Sequence, residues 1–202
     1  YPVVETGRAP SLQLGDFIFA FDNWKDHDII EKSLKIWKRY NPKKGTKFYL
    51  FCGFKQSPTK VDIFYKDIWE LFQRIKILMQ YGCVGYVMRH EDYHNAPVSN
   101  FYVQIARWCN QQQFYKKMSF WQFCYRNQSW EEKTLKITTR PKLKTFDEFE
   151  QDIRDGYYDR VKMCLSLKSL IKVLEMFPNH RAELIDMFNY SMSELVDENL
   201  WK

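Results

Sequence analysis

The sequence predicts an α/β fold built on parallel strands. Three short apolar runs each end in polar residues and are followed by a segment of helical periodicity: Phe17–Phe21 runs into Asp22-Asn23, Phe48–Phe51 into Cys52-Gly53, and Tyr86–Met88 into Arg89-His90-Glu91. Strands that alternate with single helices imply parallel β-α-β units of right-handed crossover. Beyond residue 98 the alternation stops, and the remaining chain reads as mostly helical.

Residues 1–15 are irregular, punctuated by Pro2, Gly7, Pro10 and Gly15. The first strand is expected over Asp16–Phe21. After a polar loop, Ile29, Ile30, Leu34 and Trp37 recur at helical spacing and predict a helix near Ile29–Tyr40, with Asp28 as N-cap and Asn41-Pro42 and Gly45 ending it. The second strand is Lys47–Cys52, whose continuous apolar character predicts burial on both faces. A loop over Gly53–Val61 leads to a long helix, about Asp62–Tyr81, with Ile63, Ile68, Leu71, Phe72, Ile75 and Leu78 on its inner side and Gly82 at its C-cap. The third strand is Cys83–Met88.

Ser99 is placed to cap a helix over Asn100–Cys109. Ser119 with Gln122, and Thr145 with Glu148, have capping-box spacing; the first helix is expected to end near Asn127 and the second before Gly156. Leu135–Lys144 is a basic extended segment. Tyr157 to Trp201 reads as helical throughout, with one break forced by Pro178. Two regions follow: a parallel α/β half over 1–127 and a helical region over 128–202.

At 202 residues the chain suits one domain, or one with a small appendage, and its 45% apolar and 18% aromatic content exclude wholesale disorder. No window approaches 18 consecutive apolar residues, so no membrane span is expected. Tyr1–Val4 carry no signal pattern and no initiator Met, which points to a start inside a longer gene product. The five Cys, at 52, 83, 109, 124 and 164, contain no C-x-x-C pair, which argues against a zinc knuckle or a disulfide framework and for reduced thiols in the cytoplasm. The net charge of +6 draws on basic clusters at Lys32–Lys47 and Lys133–Lys144. A solvated helix face and a basic loop explain them; a nucleic-acid surface needs those side chains to converge in space.

In a parallel sheet the ligand lies beyond the carboxyl ends of the strands. That position selects Asp22, Asn23, Cys52, Gly53, Arg89, His90 and Glu91. Asp22 and Asn23 offer a carboxylate and an amide for a ribose hydroxyl or an amino group; the other reading is a turn in which they bond their own backbone. Gly53 admits close approach of a ligand or makes a tight turn. Arg89 suits a bidentate carboxylate contact, or an ion pair with Glu91 or Asp92. His90 and Glu91 have the chemistry of an acid–base pair. Trp108, with Phe101 and Ile105, reads as core, and Cys109 and Cys124 as small buried hydrophobes.

The ordered segments Asp22-Asn23-Trp24, Phe51-Cys52-Gly53-Phe54, Tyr86-Val87-Met88-Arg89, Ala106-Arg107-Trp108-Cys109-Asn110 and Lys117-Met118-Ser119-Phe120 resemble the carboxyl-terminal half of radical S-adenosylmethionine (radical SAM) proteins of a phage and bacterial subgroup. The resemblance covers about residues 15–127. It implies that the three strands are consecutive members, the fourth to sixth, of a partial (β/α) barrel. It also implies that Asp22, Asn23, Gly53 and Arg89 border a site for S-adenosylmethionine, used with a [4Fe–4S] cluster to generate a 5′-deoxyadenosyl radical on an unknown substrate. The CxxxCxxC motif that ligates the cluster is absent from the chain. Two expectations follow: half of a radical enzyme completed elsewhere, or a non-catalytic, phage-type binding protein that reuses the scaffold against a protein or nucleic acid. In either case the first strand's outer edge needs cover, from residues 1–14 or from a partner chain.

Overall fold

A computed structural model describes residues 18–134, 145–156 and 163–202. Three parallel strands, β1 (Ile18–Ala20), β2 (Lys47–Cys52) and β3 (Val84–Arg89), lie side by side in chain order. Tyr49 pairs with Ala20 on one side and Tyr86 on the other, and Cys52 pairs with Arg89. The expected parallel α/β arrangement is therefore present. The described part of the first strand is three residues long, and cover from residues 1–14 falls outside the described residues.

Between the strands run α1 (His27–Tyr40) and α2 (Val61–Gln80). The first helix begins earlier than the spacing predicts, after a 3-10 turn at Trp24–Asp26, and its N-cap is Asp26, not Asp28. The reason is local: Trp24 stacks on His27 at 4.4 Å, and His27 Nδ1 lies 2.8 Å from the Trp24 carbonyl. Asp28 thus sits in the first turn, where a carboxylate complements the helix dipole. At the end of α2 the Gly82 N–H donates to the Met79 carbonyl and the Cys83 N–H to the Leu78 carbonyl, the two bonds of a Schellman motif.

After β3 come α3 (Ser99–Cys109), the short α4 (Gln112–Tyr115), α5 (Phe120–Thr134) and α6 (Phe146–Arg154). Both capping boxes form: Ser119 and Gln122 exchange bonds of 3.2 and 3.0 Å, and Thr145 and Glu148 do the same. The fifth helix runs past the expected end near Asn127. Its polar residues there are not a terminus but a dock, since Asn127 donates to Ser166 and Gln128 accepts the Cys164 N–H at 2.7 Å. The basic segment 135–144 lies outside the described residues.

The last helices are α7 (Leu165–Met176), α8 (Arg181–Phe188) and α9 (Met192–Leu195). Pro178 breaks the first from the second as expected, but the region is not helical throughout: Asn189–Ser191 and Val196–Asp197 interrupt it again. These helices join the core of the strand region. The seventh packs on α3 and α5, and the eighth and ninth on α2, so α2 is buried along Phe64, Ile68, Leu71, Phe72, Ile75 and Leu78. Trp108 is wholly buried and donates to the Met118 carbonyl, the core role expected of it. No described helix is long and apolar enough to cross a membrane.

One expectation fails, and the failure matters. The second strand is not buried on both faces. Phe48, Leu50 and Cys52 point into the core, while Tyr49, on the other face, is 37% exposed and its neighbours Tyr86 and Met88 are 38% and 43% exposed. Among the described residues, helices pack on the Phe48–Leu50 side, where the Phe19 ring lies on Phe48 and on Trp37 of α1 and where Gly85 lies against Leu50 and Cys109. A run such as Phe-Tyr-Leu-Phe reads the same whether its outer face meets helices or nothing.

Candidate site at the carboxyl ends of the strands

The tips of the first two strands are held by one buried side chain. Arg74, 2% exposed, projects from α2; its guanidinium donates to the Phe21 carbonyl at 2.7 Å and to the Phe51 carbonyl at 3.1 Å. These are the last peptides before Asp22 and before Cys52-Gly53. One turn pair earlier on the same helix, Asp67 Oδ2 accepts the Gly53 N–H at 2.8 Å and the Tyr102 hydroxyl at 2.5 Å. Asp67 and Arg74 stand seven residues apart and so share the inner stripe of the helix. Burial pushes the Asp67 carboxyl up from its ordinary range, opposed by the Tyr102 and Gly53 bonds and by the Arg74 charge. Burial likewise pulls Arg74 down, opposed chiefly by Asp67. Neither residue stands out by spacing alone. The available signal is two opposite charges set in an otherwise apolar helical stripe.

Asp22 and Asn23 are exposed at the end of β1. Asp22 Oδ1 accepts the Phe51 N–H at 3.0 Å, bridging to the neighbouring strand, and the Asn23 carbonyl accepts the Asp26 N–H at 3.1 Å. Asp22 therefore bonds backbone, though not its own; the Asn23 carboxamide makes no capping bond. Gly53 has φ of +80°, its N–H is taken by Asp67, and a Cβ there would stand 2.7 Å from Tyr93 Cβ. Its lack of a side chain thus answers to Tyr93 as well as to the turn.

Arg89 is exposed and lies 4.6 Å over the Tyr93 ring, in place of an ion pair with Glu91 or Asp92. His90 continues the ladder, its N–H donating to the Cys52 carbonyl. The imidazole leans on Phe54 at 4.2 Å, and Nδ1 lies 3.2 Å from both the N–H and Oδ2 of Asp92. Asp92 Oδ2 in turn accepts the Lys55 N–H, which pins the loop after β2 to the loop after β3. Glu91 opens a 3-10 turn, and no bond between it and His90 is present among the described residues. The structure thus gathers Asp22, Gly53, Arg89 and His90 around the ends of adjacent strands, with Phe51 and Phe54 between them.

The cluster implied by the resemblance does not fit the described residues. All five thiols are buried, burial holds those of Cys52, Cys83, Cys109 and Cys124 protonated, and no three His, Cys, Asp or Glu among the described residues converge for a metal. For S-adenosylmethionine the Asp22 carboxylate and the Asn23 amide are suitable partners for hydroxyl or amino groups. No protein-family model, curated protein or solved structure matches this chain.

Proposed function

We propose that the chain is the carboxyl-terminal half of a partial (β/α) barrel of the radical SAM kind, with the bare sheet face as its lumen and Asp22, Asn23, Gly53 and Arg89 at the rim of a site for S-adenosylmethionine. One observation carries the reading: among the described residues the three consecutive parallel strands pack against helices on the Phe48–Leu50 face, and the other face bears exposed Tyr49, Tyr86 and Met88. Parallel sheets occur almost only with both faces covered, and in a barrel the sheet covers its own inner face. Strand order that follows chain order also suits a barrel. The described residues supply none of the cluster's thiolates, so those come from elsewhere in the active protein.

When bound, S-adenosylmethionine would supply the sulfonium for radical formation. This chain's residues would orient it: Asp22 by accepting a hydroxyl or amino proton, and Arg89 by gripping a carboxylate. Anaerobic reconstitution of the product of the complete reading frame with iron and sulfide tests the reading. The expected result is the charge-transfer absorbance of a [4Fe–4S] cluster and release of 5′-deoxyadenosine from S-adenosylmethionine. A protein that takes up no cluster and binds no S-adenosylmethionine overturns it.

A second reading, a non-catalytic binding protein on the same scaffold, is favoured by the way the tip polar groups are consumed internally. The Gly53 N–H, Asp22 Oδ1 and His90 Nδ1 all have partners within the chain. Negative results in that reconstitution, with a partner retained, support this reading instead.

A further inference from the structure

We infer that the bare sheet face and its rim form a platform for single-stranded nucleic acid. The inference deepens the barrel reading by naming the substrate class, and rests on it in one respect: the face must receive a ligand. The face presents ring faces in succession. Tyr49 and Tyr86 meet edge to face at 5.7 Å, and Phe51 and Phe54 at 5.4 Å, Phe54 being 47% exposed. Residues two apart on a strand stand about 6.6 Å from each other and neighbouring strands about 4.8 Å, a spacing that successive unpaired bases can match. Base–aromatic stacking is tolerant of sequence and needs bases whose faces are not already stacked in a duplex.

Charge agrees with an anionic partner. The described strand positions on this face are Ile18, Ala20, Lys47, Tyr49, Phe51, Val84, Tyr86 and Met88, of which Val84 is buried, and none is a carboxylate. Lys47 lies at one end of the face and Lys55 on the loop at the other; Arg89 pairs with Cys52 and so stands on the opposite side of the strand tip. The rim carboxylates are Asp22, Glu91 and Asp92; Asp22 and Asp92 are turned onto the Phe51 and Lys55 N–H groups. The chain as a whole carries +6. Aromatic rings on an open sheet flanked by cations are the footprint of single-strand binding, whereas an apolar protein partner gives no use to the cations.

Fluorescence anisotropy of a labelled single-stranded oligouridylate, titrated with the full chain at low salt, tests this. Expected are saturable binding that weakens with salt, weaker binding of a duplex of equal length, and a loss of about tenfold or more for the Tyr49→Ala/Tyr86→Ala double variant. Lys47→Gln is expected to lower the salt slope by about one. Absence of binding, or binding that prefers duplex and ignores the tyrosines, overturns the inference. If the double variant unfolds, crosslinking of a 4-thiouridine oligonucleotide to the native chain decides: attachment at Tyr49, Phe54 or Tyr86 supports it, and attachment only elsewhere overturns it. Oligonucleotide binding without cleavage of S-adenosylmethionine by the reconstituted protein fails the radical reading alone; cleavage without oligonucleotide binding fails this inference alone.

Discussion

The Asn110 carboxamide lies against the Val87 peptide, its Oδ1 accepting the Val87 N–H at 2.7 Å and its Nδ2 donating to the Val87 carbonyl at 3.1 Å. A side chain from the end of α3 thus does what a fourth strand would do. Val84 and His90 direct their N–H groups to β2, so alternate residues face outward, and at Val87 that edge is closed to pairing. At the opposite edge, Phe21 donates to Tyr49, which leaves the Ile18 and Ala20 peptides facing outward. Asn110→Ala strips both partners from a 3% exposed residue and is expected to cost about 1–3 kcal/mol, read as a lower urea midpoint with unchanged slope.

Arg74→Met leaves the Phe21 and Phe51 carbonyls without their donor and Asp67 without its nearby cation. A buried acceptor left without its donor costs about 1–3 kcal/mol, and more where the donor is charged. The Asp67→Asn/Arg74→Met double variant is expected to lose less than the sum of the two singles. Additive losses in chemical denaturation would mean that the two charges are not coupled.

Gly53→Ala and Gly156→Ala separate conformation from contact. Both residues have φ near +80°, but a Cβ at Gly53 meets Tyr93 Cβ at 2.7 Å and one at Gly156 meets nothing within 4 Å. Gly156→Ala is expected to cost about 1 kcal/mol, the left-handed penalty alone. Gly53→Ala is expected to cost more, and also to shift the amide resonances of Tyr93 and Asp92.

The docking of α8 on α2 is expected to loosen in acid. Glu183 accepts the Tyr65 hydroxyl at 2.6 Å and the Trp69 indole N–H at 2.7 Å, with His180 at 3.6 Å. The Tyr65 bond foremost, then Trp69 and His180, hold its carboxyl below the ordinary glutamate range. A depressed folded-state pKa gives stability that is present above the unfolded value and lost as pH falls through the folded one. Hydrogen exchange at residues 181–188 is therefore expected to quicken on acidification through that range, and Glu183→Gln to remove most of the pH response. Asp67, raised by burial, acts in the opposite sense: its contribution is present below the unfolded value and lost as pH rises through the folded one.

Much of the scaffold was legible because its signals are local. The limits of β2, the long α2 with Gly82 behind it, and both capping boxes depend on neighbours within a few residues. What escaped depends on residues far apart in sequence. Asn127 and Gln128 read as a helix end until Ser166 and Cys164 are seen against them. Nothing local marks Asn110, whose role is set by Val87. Of the site, position at the strand tips selected Asp22, Gly53 and Arg89. That the Gly53 N–H is spent on Asp67, and that Arg89 rests on Tyr93, follow from packing of α2 and of the loop after β3. Burial of one sheet face could not be read from β2, since Tyr49 suits either side.

The last aromatic residue reaches back to the first helix. Trp201 is 5% exposed, its ring 5.7 Å from Tyr81 and 4.6 Å from the Lys38 ammonium, and the Asp197 N–H donates to the Gln80 carbonyl. During synthesis, the amino end of the sheet stays uncovered until residue 201 has left the ribosome. Apolar surface at Tyr81 thus gains its cover only from residues synthesised more than a hundred positions later, and an incomplete chain leaves it exposed to association.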